Sequence, residues 1–274
     1  MNLRDKITIT GLTDPGIVRG HNEDTIGNNP ELGLAVLADG MGGHKGGEVA
    51  SALAVDTILT SLSKSLRTVN AGEIDEETGY SQGSIAVEQA IKEANNVIFD
   101  SASKNEQYEG MGTTIVVLLF YDNRFTVGHV GDSRLYRLRD SQLELLTRDH
   151  TLLQELVDRG FYTREEARNS MKKNLVTRAV GVSDTVEVDI TEDTAAVDDI
   201  YLLCSDGLND MIEDDLIEDV INNYKSNLNK IAEELIKQAN QHGGKDNVSA
   251  LLAHPVKPFP SGGNWLNKIT NLFS

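Results

Sequence analysis

The residues in this sequence best suited to chemistry are acids placed beside apolar runs. Asp39 follows Leu32-Gly33-Leu34-Ala35-Val36-Leu37-Ala38 and precedes Gly40. Asp132 follows Thr126–Val130 and Gly131. Asp206 follows Leu202-Leu203-Cys204-Ser205 and precedes Gly207. Asp246 lies in Gly243-Gly244-Lys245-Asp246-Asn247, just ahead of another apolar run. Asn22-Glu23-Asp24 follows Thr13-Asp14-Pro15-Gly16. A single Asp-Gly pair is most simply a turn. Repeated at the rims of several buried strands, such acids can converge on a hard cation, Mg²⁺ or Mn²⁺, which needs oxygen ligands. The neighbouring glycines let backbone approach the site closely.

The elements that would position these acids can be read from hydrophobic periodicity. Ile7–Thr10, Leu32–Ala38, Thr114–Tyr121, Arg124–Val130, Arg134–Arg139, Leu143–Leu146, Val186–Ile190, Ile200–Cys204 and Val248–Ala253 read as strands. Asp122-Asn123 and Asp140-Ser141-Gln142 are hairpin turns. Gly46–Leu62 is a helix, with Ala50, Leu53, Ala54 and Ile58 at three- and four-residue spacing. Ser84–Asp100 is a second helix with Ser84 as its N-cap, and Asp210–Asn223 and Asn227–Gln241 are two more. Thr68–Gly83 is polar and acidic, a loop. Antiparallel strands with helices grouped between them indicate an α+β fold with helices packed on a sheet or sandwich.

The chain has 274 residues, with 25 Lys and Arg against 43 Asp and Glu, for a net charge of −18. That balance suits a protein that holds cations and opposes binding to a phosphate backbone, so nucleic acid is not an expected partner. The single cysteine, Cys204, excludes an internal disulfide framework and a Cys-rich zinc site. There is no apolar segment behind Met1–Lys6 to make a signal peptide, and the run Ile115–Tyr121 is too short to span a bilayer, so the expected location is cytoplasmic. The composition changes after His254. The expected domain is therefore 1–254, and residues 255–274 form a Pro- and Gly-containing linker and tail. Trp265, Ile269, Leu272 and Phe273 fall on one face of a helical wheel, so residues 264–274 could dock on a partner or a membrane.

Several other chemistries are excluded by missing residues. A cysteine phosphatase built on Cys204 needs an arginine six residues later, where this chain has Asp210. The segment 40–47 is glycine-rich and contains Lys45, but it lacks the Gly-Lys-Ser/Thr ending of a nucleotide-binding loop. Arg148-Asp149-His150 echoes a kinase catalytic loop without its Gly-rich loop or Asp-Phe-Gly.

Read in order, the motifs are Thr13-Asp14-Pro15-Gly16, Arg19, Asn22-Glu23-Asp24, Ala38-Asp39-Gly40-Met41-Gly42-Gly43-His44, Met111-Gly112-Thr113-Thr114, Gly131-Asp132-Ser133-Arg134, Cys204-Ser205-Asp206-Gly207-Leu208 and Gly244-Lys245-Asp246-Asn247. This series resembles the metal-dependent protein serine/threonine phosphatases of the PPM or PP2C type, in particular their compact bacterial branch, over roughly residues 7–253. The resemblance implies a central β-sandwich of two antiparallel sheets flanked by helices, with a two-metal site at one end and a flap at about 150–182. It implies that Asp39 bridges two Mn²⁺ or Mg²⁺ ions, that Asp206 and Asp246 hold the first, and that Asp24 and the Gly40 carbonyl hold the second with Glu23 beside it. Asp132, Asp210 and Asp206 match a weaker third metal position, and Arg19 matches the arginine that grips the substrate phosphate.

The implied reaction is hydrolysis of phosphoserine and phosphothreonine by direct attack of a metal-bridging hydroxide, without a phosphoenzyme. The implied partners are phosphorylated Ser/Thr proteins and an opposing bacterial Ser/Thr kinase. A pair of cations roughly 3.5–4 Å apart suits this chemistry, because it inverts the potential of an acidic cleft and stabilises both attacking and leaving oxygens. Arg19 would add a fork matched to phosphate. Met41 stands where many members carry a histidine general acid, so a metal-bound water is expected to protonate the leaving group and His44 to support the metal loop. In the flap, Lys172, Lys173 and Arg178 are placed to meet a phosphopeptide. Two alternatives stay open at this level: a non-catalytic regulatory or binding domain on the same fold, and a phosphoesterase for a small metabolite.

Overall fold

Strands with apolar side chains on both faces must be covered on both faces, and β3 (Leu34–Met41) and β5 (Ile115–Tyr121) are of this kind. The computed structural model, which describes residues 2–42, 46–163, 166 and 175–260, shows what covers them. One sheet runs in the order β1 (Ile7–Asp14), β11 (Val248–Pro255), β10 (Ile200–Cys204), β7 (Arg134–Arg139), β8 (Gln142–Leu145). The other runs β2 (Asp24–Asn29), β3, β5, β6 (Arg124–Val130), β9 (Asp189–Thr194), and the short β4 (Gly112–Thr113) pairs with the end of β3. Neighbouring strands pair antiparallel in both sheets.

Alternate residues of these strands feed different layers. Ala35 and Leu37 of β3 join Val116, Leu118 and Phe120 of β5, Leu203 of β10 and Leu251 of β11 in the core between the sheets. Leu34, Val36 and Ala38 face outward and meet α1 (Gly46–Ser65) and α2 (Gln82–Lys104) through Ala50, Ile58 and Ile91. On the opposite side, Leu202 and Leu252 meet α5 (Asp214–Tyr224) and α6 (Leu228–Gln241) through Ile217, Ile231 and Leu235. The result is a β-sandwich with a pair of helices on each outer face, the α+β architecture expected. The two short hairpins turn at Asp122-Asn123 (φ 50° and 54°) and Asp140-Ser141 (φ 52° and 65°), paired left-handed residues that match the twist of the flanking strands.

Several element boundaries differ from expectation. Helix α2 is capped by Ser81, whose hydroxyl accepts the Ser84 N–H, so Ser84 is the third residue of the helix and not its cap. The strand expected at Val186–Ile190 lies at Asp189–Thr194, where its backbone completes β6. Past α3 (Leu152–Asp158), the helix expected from Asp210 starts late and follows a separate turn. A single turn, α4 (Asp206–Asn209), ends with Asp210 as its C-cap, and α5 starts four residues on behind Glu213. The chain stays packed beyond residue 254: Pro255 closes the β1–β11 ladder, Val256 N–H bonds Lys6 O, and Phe259 is buried against Phe120 with its N–H on Asn123 Oδ1. The expected linker from residue 255 is thus displaced by at least five residues, because Phe259 fills a site between the sheets. The expected tail helix at 264–274, His44, Lys172 and Lys173 lie outside the described residues.

Candidate metal centre

Strand register assembles the acids. Asp24, the first residue of β2, stands opposite Asp39 near the end of β3. Asp206 opens α4 directly after β10 and Ser205, and Asp246 lies two residues ahead of β11, the neighbour of β10. Asp132 follows β6 in the turn to β7 and is buried. Close approach of backbone is required here: a Cβ on Gly40 would lie 2.1 Å from the Gly47 oxygen. Asn247 ties the pieces together. Its Oδ1 accepts the Glu23 N–H at 2.8 Å, and its Nδ2 donates to the carbonyls of Pro15 (3.0 Å) and His21 (2.9 Å). The Arg19 loop is thereby pinned to the turn that carries Asp246, and Arg19 Nη2 reaches Asp246 Oδ2 at 2.7 Å.

The electrostatics of this cluster are unfavourable for the protein alone. Burial pushes Asp39 well above the usual carboxylate range, and the charges of Asp24, Asp206, Asp132 and Asp246 push it further. Asp206 is raised well above that range by burial and by Asp132, Asp210, Asp246 and Asp24. Burial also raises Asp24, against hydroxyl hydrogen bonds that lower it, and lifts Asp132 to about 6. Asp246 pulls Arg19 upward. Like charges this close require a compensating positive charge. Three buried oxygens in the cluster, Glu23 Oε1, Asp24 Oδ1 and Asp132 Oδ2, have no hydrogen-bond partner among the described residues. An all-oxygen set with orphaned, desolvated acceptors fits hard divalent cations.

Comparisons with known proteins identify the family. The profile of the family described as Protein phosphatase 2C matches residues 20–253. The chain belongs to the protein phosphatase 2C family. A serine/threonine phosphatase of Listeria welshimeri is 37% identical over 243 residues, covering 88% of this chain and 92% of that protein. The crystal structure of the Mycobacterium tuberculosis serine/threonine phosphatase PstP/Ppp superposes with a TM-score of 0.80 at 36% identity, covering 91% of this chain and 98% of that one. A structure of the PstP catalytic domain in complex with two manganese ions superposes with a TM-score of 0.78 at 35% identity, covering 92% of this chain and 99% of that one.

Around this centre the structure adds contacts that the sequence did not assign, and one residue, Ser249, that it did not single out. Asp24 Oδ2 accepts from both Ser205 Oγ and Ser249 Oγ, each at 2.7 Å. Thr114 Oγ1 accepts the Asp39 N–H at 3.2 Å, and the Thr114 N–H bonds Asp39 O at 2.9 Å. Cys204 is buried, with its thiol pushed up to about 12 by burial, consistent with a structural role in β10.

One expectation is corrected at the flap. Arg178 does not point free toward substrate. Its Nη1 donates to Asp189 Oδ1 at 2.8 Å and lies 3.5 Å from His150 Nε2. His129, His150 and Asp189 bring ligand-type atoms within 4.8 Å of one another, yet their hydrogen bonds are already assigned. His129 Nε2 donates to Arg148 O at 2.8 Å, His150 Nδ1 accepts the Gly131 N–H at 3.1 Å, and His150 Nε2 faces Asp189 at 3.2 Å. The two imidazoles stack at 4.5 Å, and burial lowers both pKa values. With Arg178 on the same carboxylate, this group is a hydrogen-bonded brace between β6, β9 and the base of the flap, and it is poorly suited to hold a cation.

Proposed function

We infer that this chain is a divalent-cation-dependent protein phosphatase that hydrolyses phosphoserine and phosphothreonine, with Mn²⁺ or Mg²⁺ as its cofactor. The observation that carries the reading is the convergence of mutually repelling, buried carboxylates, three of their oxygens orphaned, beside an exposed arginine whose loop is pinned to the Asp246 turn. Asp39 would bridge two ions, with Asp206 and Asp246 on one side and Asp24, the Gly40 carbonyl and Glu23 on the other. Asp132, Asp206 and Asp210 would hold a weaker third. When bound, the ions supply positive potential for the phosphate and acidify a water for direct attack on phosphorus.

The chain's own residues do the rest. Arg19, with its side chain about half exposed, presents a planar guanidinium to phosphate oxygens, and Asp246 and the Asn247 hydrogen bonds fix where that fork stands. Ser205 and Ser249 hold Asp24 in one orientation. A phosphoserine or phosphothreonine substrate has to be made by a kinase, so the chain's place is opposite a Ser/Thr kinase and, with ATP as that kinase's donor, in the cytoplasm. The names of the related Ser/Thr phosphatases support this reading. The experiment is phosphate release from a phosphothreonine peptide with Mn²⁺, with Mg²⁺ and with chelator, for wild type and Asp206→Ala. Cation-dependent release that Asp206→Ala abolishes is the expected result. A folded wild-type protein that releases nothing with either cation would overturn it.

A further inference from the structure

An open groove of about 510 Å³ runs between the end of β1 and helix α6. Leu12, Ile17 and Ile236 line it with apolar side chains, beside Asp14, Glu233 and Lys237. Ile17 is 68% exposed and Leu12 42%, unusual solvent contact for two large aliphatic side chains side by side. β1 is an edge strand of its sheet, so the groove is open along one side.

The groove shares a wall with the arginine that faces the phosphate. Ile17 lies two residues before Arg19, a span of at most about 7 Å of chain. The N–H groups of Ile17 and Val18 both donate to Gly244 O, at 2.8 and 3.1 Å. Gly244 belongs to the turn of Asp246, which receives Arg19. A Cβ at Gly16 would lie 2.2 Å from Asp246 O, so the loop sits directly on that turn, and its φ of 76° suits glycine. Asn247 Nδ2 holds the same loop through Pro15 O. Ile17 is therefore tethered to the turn that carries Asp246, and the groove lies within a few residues of Arg19 along the same loop.

We propose that this groove binds an apolar side chain of the substrate polypeptide, about two to four residues from the phosphorylated one, an offset that follows from the rise of an extended chain of about 3.3 Å per residue. The proposal rests on the phosphatase reading above and adds a substrate preference to it. The occupant is the substrate itself because the groove is continuous with the phosphate-binding loop, and any polypeptide whose phosphate reaches Arg19 must run its flanks along the neighbouring surface. The contact is specificity by burial: a leucine or phenylalanine that leaves water on Leu12, Ile17 and Ile236 binds, and a serine in its place gains nothing.

The test uses phosphothreonine peptides in a serine and alanine background, with one leucine moved through each position within about five residues of the phosphothreonine. An aryl phosphate, too small to reach the groove, is assayed alongside, all with saturating Mn²⁺. The expected result is a KM about tenfold lower for leucine at one position or two adjacent ones on one side, with kcat little changed. That advantage, expressed relative to the aryl phosphate, is expected to collapse in Leu12→Ser and in Ile17→Ser, with folding checked by thermal melts. If either variant fails to fold, the wild-type scan alone decides. Wild type that hydrolyses the aryl phosphate and all peptides with KM values within about twofold of one another overturns the groove and leaves the phosphatase reading intact. Folded variants that retain the leucine advantage overturn it equally. No turnover on any substrate overturns both.

Discussion

Asp24 and Asp39 face each other directly across the β2–β3 ladder. Two acids at that spacing, with Asp206, Asp132 and Asp246 also acting on Asp39, place repulsion where function needs ligands. Fold stability is lowered at the site as a consequence. Asp39→Asn preserves shape and removes one charge. Mn²⁺-dependent turnover should fall by about 10²–10³-fold or more. The melting temperature in chelator should rise by about 2–4 °C per kcal/mol of relieved repulsion. Phosphate release and calorimetry in chelator check both, and a lower melting temperature for the variant would contradict the repulsion argument.

The same charges fix a pH dependence. Burial lifts Asp132 to about 6, so the folded protein keeps a proton there that the unfolded chain releases near 4. Between those values the unfolded state binds fewer protons than the native state, and stability falls as pH rises. His129 and His150, lowered by burial, act in the opposite sense over part of this range, so wild type alone does not isolate the effect. The difference between Asp132→Asn and wild type does. In chelator, the melting-temperature gain of Asp132→Asn should be small near about pH 4 and grow until the pH has passed about 6. Melts of both proteins across that range test it, and a gain that shrinks with rising pH would be incompatible with a raised Asp132.

Much of this was legible because it depends on local pattern. β3 and β5 are unbroken apolar runs, and only a strand covered on both faces accounts for them. Asp39, Asp132, Asp206 and Asp246 stood out because acids beside glycine interrupt or border such runs. β2 was not legible. Its sequence Asp-Thr-Ile-Gly-Asn-Asn has one large apolar residue, and the strand exists because β3 offers it a pairing edge. β9 was displaced for the same reason: Glu192, in its polar half, is held by Ser81, Ser84 and Arg124 from distant segments. Ser249 could not be read as a support for Asp24, because only the β1–β11 register, which sets Ser249 opposite Thr13, brings its hydroxyl to that carboxylate. His150 looked like part of a kinase loop, and its partner Gly131 is reached only through the fold.

Arg19 presents its guanidinium on a loop held by Gly244 and Asn247, and its ion pair with Asp246 shows the reach of the fork. Charge-assisted hydrogen bonds to phosphate contribute about 1.5–3 kcal/mol. Arg19→Ala should therefore lower kcat/KM on a phosphopeptide by about 10- to 100-fold. Arg19→Lys should recover only part of the loss, because an ammonium lacks the planar fork. Inhibition by inorganic phosphate should weaken in parallel. Steady-state kinetics with product inhibition decide this, and an Arg19→Ala enzyme with unaltered phosphate inhibition would remove Arg19 from the phosphate site.

His150 clasps Gly131 from both sides: its N–H bonds Gly131 O at 2.9 Å, and its Nδ1 accepts the Gly131 N–H at 3.1 Å. Gly131 precedes Asp132, so the ring positions the peptide that carries this acid. An asparagine at 150 places an acceptor near the Nδ1 position, and a glutamine places a donor near Nε2 and leaves the Gly131 N–H unpaired. His150→Gln should need about tenfold more Mn²⁺ for half-maximal turnover, and His150→Asn should stay within about threefold of wild type. Mn²⁺ titration of activity, together with binding followed by paramagnetic resonance, separates the two. A larger loss for His150→Asn than for His150→Gln would mean that the Asp189 contact matters more than the Gly131 contact, and equal behaviour of the two variants would mean that neither contact alone sets the position of Asp132.

Asp24 depends on two hydroxyls, Ser205 Oγ from the end of β10 and Ser249 Oγ from β11, both at 2.7 Å from the same oxygen Oδ2. The other oxygen, Oδ1, is buried without a hydrogen-bond partner among the described residues and is the atom that would hold a cation under the proposed function. Removing one serine lets the carboxylate turn and lets Oδ1 drop out of line. Such supporting contacts contribute about 10- to 100-fold to metal affinity. Ser249→Ala should raise the Mn²⁺ dissociation constant by about tenfold, and Ser205→Ala should do likewise. Their double variant should lose less than the product of the two, because they act on one oxygen. At saturating Mn²⁺, kcat should return to within about threefold of wild type in either single variant, since neither serine touches the substrate. Calorimetric titration of Mn²⁺ gives the affinities, and activity at saturation gives kcat. Affinity unchanged in both single variants would show that Asp24 is held by the β2–β3 register alone.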